Sequence, residues 1–243
     1  MIAIGTREQG ARTRRRLEHN QDFFYKSEWM AGSEDPDVSP TIFLIEQEPN
    51  VTLGAHFHKE NQFQLFVHGT GRIGNHPISP GTIHYAGAHT GYGPLVAGSE
   101  GLHYFTIRPK LETGAYFLPA KEHMRPGPKR GGNAGPVEML PAETLARTCT
   151  TTRDDLLAMT PDGLGVTAFT VAPDDIVAYQ PSPAAEGVFI VVLNGELAFE
   201  DKVLGRWESM FVQRTDSFPS LRAAQSGAQI VCLSVPPKDP RYL

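Results

Sequence analysis

The stretch GAHFHKENQFQLFVHG, residues 54–69, holds the side chains best suited to chemistry: His56 and His58 two apart, and Gln62 four further on. Residues two apart on a strand project from one face, so these imidazoles can stand side by side. A turn at Lys59, Glu60 and Asn61 can return Gln62 on the next strand toward the same point. Imidazole nitrogens suit Fe, Mn, Ni, Cu or Zn, and an amide oxygen adds a weak neutral ligand. A lone His-x-His pair is by default two polar residues on a wet face. Here, however, seven of the nine histidines (56, 58, 68, 76, 84, 89 and 103) fall within 48 residues, and none follows His123.

The elements that must position such a cluster read as strands. Apolar runs of TIFLI, FQLFV, LHYFTI, VTAFTV, GVFIVVL and QIVCLSV are bounded by Gly, Pro, Asn or Asp, and 24 glycines and 20 prolines are spread through the 243 residues. That pattern predicts short strands joined by tight turns. A formal net charge of −5 offers no global basic field for nucleic acid or an anionic membrane. The basic run RTRRRLEH at 12–19 is expected to be a solvated N-terminal arm. Cys149 and Cys232 are isolated, which fits reduced thiols, and no apolar stretch approaches the ~20 residues of a membrane span. The expectation is a soluble, cytoplasmic protein. The sequence shows no Ser/His/Asp arrangement, no phosphate-cradling glycine loop and no Cys-x-x-Cys zinc pattern.

The two halves match each other. FQLFVHG at 63–69 aligns with FIVVLNG at 189–195, and LVAGSEG at 95–101 with LRAAQSG at 221–227, both at an offset of 126. Between them, the proline- and glycine-rich residues 118–141 can bury little and read as a connector. The division expected is 1–117, a connector over 118–141, and 142–243. At the same offset, His56, His58 and Gln62 become Ser182, Ala184 and Val188. The architecture therefore does not need the polar residues.

These residues resemble the cupin superfamily. Its first motif runs Gly, His-x-His, three or four residues, Glu, six residues, Gly. HFHKENQFQLFVHG reproduces His56, His58 and Gly69 at that spacing, with Gln62 where Glu usually stands. The resemblance covers residues ~40–110 directly and ~165–236 through the repeat. It implies an all-β chain of two antiparallel cupin barrels (jelly roll, double-stranded β-helix), a bicupin with one equipped and one emptied barrel. The second motif departs from the pattern. Eleven residues after Gly81, where a ligand histidine is expected, stands Tyr92. His84, within the short strand TIHYA, ranks first as a third imidazole, with His89 and His103 as alternatives; each alone can equally be a hydrogen-bonded structural histidine.

The resemblance implies a divalent transition metal (Fe, Mn, Ni or Zn) held by His56, His58, Gln62 and His84, with Gln64 and Tyr92 orienting a small organic substrate. With no anionic ligand the ion keeps its full charge and polarises oxygen donors strongly. Neutral three-histidine iron sites in cupin-like enzymes activate dioxygen with a chelating substrate, so the activity implied is that of a dioxygenase, an oxidoreductase. Isomerase or lyase chemistry, and a non-catalytic module sensing a small molecule or metal, are the alternatives. A homodimer is compatible with the family.

Overall fold

The structure is a computed structural model that describes residues 1–19, 22–33 and 38–243. In chain order the elements begin with β1 (Ile2–Gly5), helix α1 (Arg7–Thr13), β2 (Arg15–His19), β3 (Asp22–Met30), β4 (Thr41–Gln47), β5 (Thr52–Leu53) and β6 (His56–Phe57). There follow β7 (Gln62–Ile73), β8 (His76–Ile78), β9 (Ile83–Ala86), β10 (Leu95–Arg108), β11 (Tyr116–Phe117) and β12 (Gly131–Ala134). The chain continues with α2 (Ala142–Leu145), β13 (Thr152–Leu157), β14 (Gly165–Val171), β15 (Gly187–Phe199), β16 (Lys202–Leu204), β17 (Ser209–Gln213) and β18 (Arg222–Val235). Every strand pairing is antiparallel, as expected of an all-β jelly-roll chain. Among the described residues no helix is long and apolar enough to cross a membrane.

Two compact units divide the chain, one of Glu8–Val137 with Lys238–Leu243 and one of Met1–Arg7 with Glu138–Pro237. The boundaries differ from those read off composition. The first seven residues belong with the second unit, because β1 pairs with β17 from Ile2↔Val212 to Gly5↔Ser209. Part of the proline- and glycine-rich connector is structured in the first unit: β12 pairs with β9, His84 lying opposite Asn133. Glycine run GGNA supplies backbone donors and acceptors even though it has almost no side chain to bury. The basic run also differs from a free arm. It ends α1 and forms β2, paired with β3, while its arginines stack outward: Arg14 over Tyr25 and Arg16 over Phe23.

In the first unit the sheet order is β12-β9-β7-β10-β4-β3-β2, and β6 pairs with β11 in a separate ribbon. In the second, it is β1-β17-β15-β18-β14-β13. The central ladders of the two units share their register at the offset of 126. Phe63 lies opposite Ile107 and Phe189 opposite Leu233; Gly69 lies opposite Leu102 and Gly195 opposite Ala228. Gly69 and Gly195 have φ of 72° and 75°. A Cβ there would come 2.1 Å from the Gly101 carbonyl oxygen and 2.2 Å from that of Gly227. Glycine is thus the residue these two ladder corners accept.

The interiors differ. In the second unit a continuous apolar core gathers Phe169, Val188, Ile190, Val192, Met210, Ile230 and Cys232 among others. The first unit also buries apolar side chains, among them Phe63, Leu65, Phe66, Leu95, Leu102 and Phe105, but it buries a polar set beside them: Gln62, Gln64, His84, Thr106 and Arg108.

Candidate metal and small-molecule site

Three segments converge in the first unit. Strand β6 and the residue after its end carry His56 and His58; β7 brings Gln62 and Gln64 on one face, since Phe63 and Leu65 take the other. Tyr92 is bridged to β6 through paired backbone hydrogen bonds with His56, 3.0 and 2.9 Å long. The hinge into that bridge is Gly93, at φ 92°. His84 and Thr106 flank Gln64 on the neighbouring strands β9 and β10.

The Tyr92 hydroxyl is the centre of the cluster. It accepts from Gln62 Nε2 at 2.6 Å and lies 2.8 Å from His56 Nε2. The Nδ1 of His56 is 2.7 Å from the Gly54 carbonyl, so Nδ1–H donates there and Nε2 is the bare nitrogen that accepts the phenol proton. The same logic holds for His84, whose Nδ1 is 2.8 Å from Asn133 Oδ1 and whose buried Nε2 has no hydrogen-bond partner among the described residues. The His56, His58 and His84 rings lie 4.5, 6.3 and 5.3 Å from the Tyr92 ring, centroid to centroid. Burial holds His84 below the ordinary imidazole value, and burial followed by the Arg108 charge does so for His58. Burial raises the Tyr92 phenol well above its ordinary value. The cluster is therefore neutral as it stands.

Arg108 closes the other side. Its Nε donates to Gln62 Oε1 at 3.1 Å, and its Nη1 to the Glu112 backbone carbonyl at 3.1 Å. Burial works against ionisation of the Glu112 carboxyl, yet its contacts with His58 and the Lys59 N–H prevail and keep it below the usual range. Glu112 Oε1 accepts from that N–H at 2.8 Å, and Oε2 is 3.6 Å from His58 Nδ1. A cavity of about 740 Å³ opens onto this cluster, walled by His56, His58, Gln64, Tyr92, Thr106 and Arg108. Its farther wall is largely apolar, with Phe24, Phe43, Leu53 and Phe117.

The candidates named from sequence divide in this geometry. His56, His58, Gln62 and Tyr92 come together, and Gln64 and Tyr92 line the cavity. Gln62 differs from a simple ligand, since its oxygen accepts from Arg108 and its amide serves Tyr92. Neither Gln62 nor His84 is part of the cavity wall. The two alternative histidines fall elsewhere. His103 is half-exposed and its ring packs on exposed His68, because the alternate residues Leu102 and Tyr104 take the inward face. His89 is buried but lines a separate cavity of about 490 Å³, its ring 4.8 Å from that of Tyr242. Arg108, Glu112 and Asn133 were missed. Tyr104, Thr106 and Arg108 form a polar period-two series at the end of an otherwise apolar strand, and that was the signal available for Arg108.

Among the described residues no group of three or more His, Cys, Asp or Glu is placed to hold a metal ion. What fits one is the tautomer pattern: metal-bound histidines commonly donate their second ring N–H to a carbonyl or carboxylate, as His56 and His84 do to Gly54 and Asn133. Tyr92 adds an oxygen donor between them. The donor set therefore suits a divalent transition ion, with a tyrosine in place of one imidazole.

No family model matches the sequence, and no curated protein does. Solved structures match over nearly the whole chain. A bacterial pirin, YhhW from Escherichia coli in complex with nickel(II), aligns with a TM-score of 0.59 at 16% identity, covering 98% of this chain and 100% of that one. A candidate dioxygenase from Nostoc punctiforme aligns at 0.56 and 12% identity, covering 99% and 80%. Oxalate decarboxylase from Bacillus subtilis aligns at 0.59 and 11% identity, covering 93% and 75%. These likenesses establish the class, a protein of cupin fold. At such identities they carry no activity across.

Proposed function

We propose that the chain is a bicupin whose first barrel binds a small organic molecule beside a divalent transition ion, and that its activity is oxidation of that molecule in the manner of a dioxygenase. The observation that carries the reading is the contrast in interiors: imidazole, amide, phenol and guanidinium groups surround a cavity in one barrel, and an apolar core fills the other. The nickel(II) in the pirin structure and the description of the Nostoc neighbour support the ion and the reaction class.

His56, His58, His84 and Tyr92 are the residues that would hold the ion, which when bound would polarise an oxygen donor of the substrate and accept dioxygen. The remaining work falls to the chain itself. Gly54 and Asn133 fix the imidazole tautomers. Gln62 orients the Tyr92 oxygen and is itself held by Arg108. Gln64, with a buried and unpartnered Oε1, accepts a hydrogen bond from the substrate. The apolar wall excludes water around it.

One feature favours a second reading, a non-catalytic binding module: the Tyr92 hydroxyl already engages His56 Nε2. The two readings separate on oxygen consumption by the nickel- or iron-loaded protein with candidate ligands. Uptake of dioxygen above the metal-free level supports the enzyme; ligand binding without uptake supports the module.

A further inference from the structure

We infer that the ligand of the first-barrel cavity is a carboxylate with an apolar body, anchored by Arg108. The inference rests on the preceding reading that this cavity takes a small organic molecule, and it names the class.

Arg108 is 2% exposed and lines the cavity. Its partners are neutral, the Gln62 amide oxygen and the Glu112 backbone carbonyl. Among the described residues none pairs a carboxylate with it; the Glu112 carboxylate, whose charge acts most strongly on it, is turned to the Lys59 N–H and His58. Burying a cation without an anion is costly, and the fold does not demand this one. At the equivalent ladder position the second barrel has Ser234, buried and donating to the Gly163 carbonyl. A ligand anion completes the first barrel, and the planar guanidinium fork matches a carboxylate.

The rest of the ligand follows from the rest of the wall. A cavity of about 740 Å³ is far larger than a carboxylate, and Phe24, Phe43, Leu53 and Phe117 line the space beyond. That wall suits an aryl or alkyl chain. Two further cations line this space, Arg15 and Lys26; both reach the Glu28 carboxylate, at 2.9 and 3.1 Å, and Lys26 also lies over the Phe43 ring. Arg108 is hydrogen-bonded only to neutral groups, and the Glu112 and Glu28 carboxylates stand on the same wall, so a monoanion suits the cavity better than a phosphate dianion.

Calorimetric titration of the full chain tests this with five probes: 3-phenylpropanoate, octanoate, the amide of each, and phenyl phosphate. The acids are expected to bind at least ~10-fold more tightly than their amides. Arg108→Gln should abolish that preference, and Arg108→Lys should keep part of it; the lysine variant carries the test alone if the glutamine variant does not fold. Equal affinity of acid and amide, a preference that survives Arg108→Gln, tighter binding of phenyl phosphate than of 3-phenylpropanoate, or no binding of any probe would each overturn the inference. A parallel nickel(II) titration separates it from the underlying reading. Nickel bound alike by wild type and Arg108→Gln, with no acid preference, sinks the carboxylate and leaves the ion site standing. Acid preference without nickel binding does the reverse.

Discussion

Position 108 in the first barrel and position 234 in the second lie at the same rung of equivalent ladders, and one is arginine where the other is serine. The same exchange recurs around them: Gln62 against Val188, Gln64 against Ile190, His84 against Met210 and Thr106 against Cys232. The shared register and corner glycines show that one strand framework accommodates either interior. Hydrophobic burial accounts for the second interior. The first gives up part of that stabilisation to a buried polar set, and among the described residues it has no hydrogen-bond partner for a buried atom of His58, Gln64 and His84; the second has such atoms at Tyr179 and Ser209. Such atoms are a cost to folding, and in the first barrel a ligand or ion is the natural source of their missing contacts.

The contrast can be broken most severely by transplanting the charge. Ser234→Arg places a cation among Val188, Ile190 and their neighbours, with an expected loss of about 3–5 kcal/mol in denaturant unfolding. A loss below about 1 kcal/mol would show that the second interior is less closed than its packing implies. Phe189→Ala follows. This side chain is fully buried against Phe211, ring centroids 4.6 Å apart, and its truncation should cost about 3–4 kcal/mol.

The reverse exchange, Arg108→Ser, should change stability by no more than about 1 kcal/mol, because removing an unpaired buried cation offsets the hydrogen bonds lost with it. Acid sensitivity belongs to the first barrel as well. His58 and His84 titrate in the folded chain below the ordinary 6.5, so the unfolded chain binds more protons as pH falls under that value. Their contribution is complete above 6.5 and is lost as pH drops toward the lowered folded values. His84→Gln should therefore show a shallower fall in Tm on acidification than wild type; identical pH profiles would remove His84 from the acid response. The smallest effect on stability is expected for Gln62→Glu. The new carboxylate would pair with Arg108 and compete with a bound acid, weakening 3-phenylpropanoate by roughly tenfold while Tm moves little.

Much of this contrast was legible in the chain. The one-sided histidines, the offset of 126 and the Gly69 corner all follow from residue type and spacing, and each has a counterpart in the ladders. Four features were not. The pairing of β1 with β17, far along the chain, depends on long-range partners that leave no local periodicity in IAIG. Asn133 sits in a glycine run whose strand has no apolar alternation, so its contact with His84 was invisible. Gln62 has the spacing of a ligand, and only the geometry shows its two ends committed to Arg108 and Tyr92. The choice among His84, His89 and His103 likewise needed the inward or outward sense of each strand residue.

Equilibrium dialysis of tag-free protein against nickel(II), read by elemental analysis, tests most directly whether the polar interior of the first barrel is an ion site. Wild type should bind about one ion per chain, and His56→Ala combined with His58→Ala should bind none while keeping a cooperative melt, since the sequence offset of 126 puts Ser182 and Ala184 at those positions of the second half. Wild-type protein that binds no ion, or a double variant that retains one, would contradict the assignment.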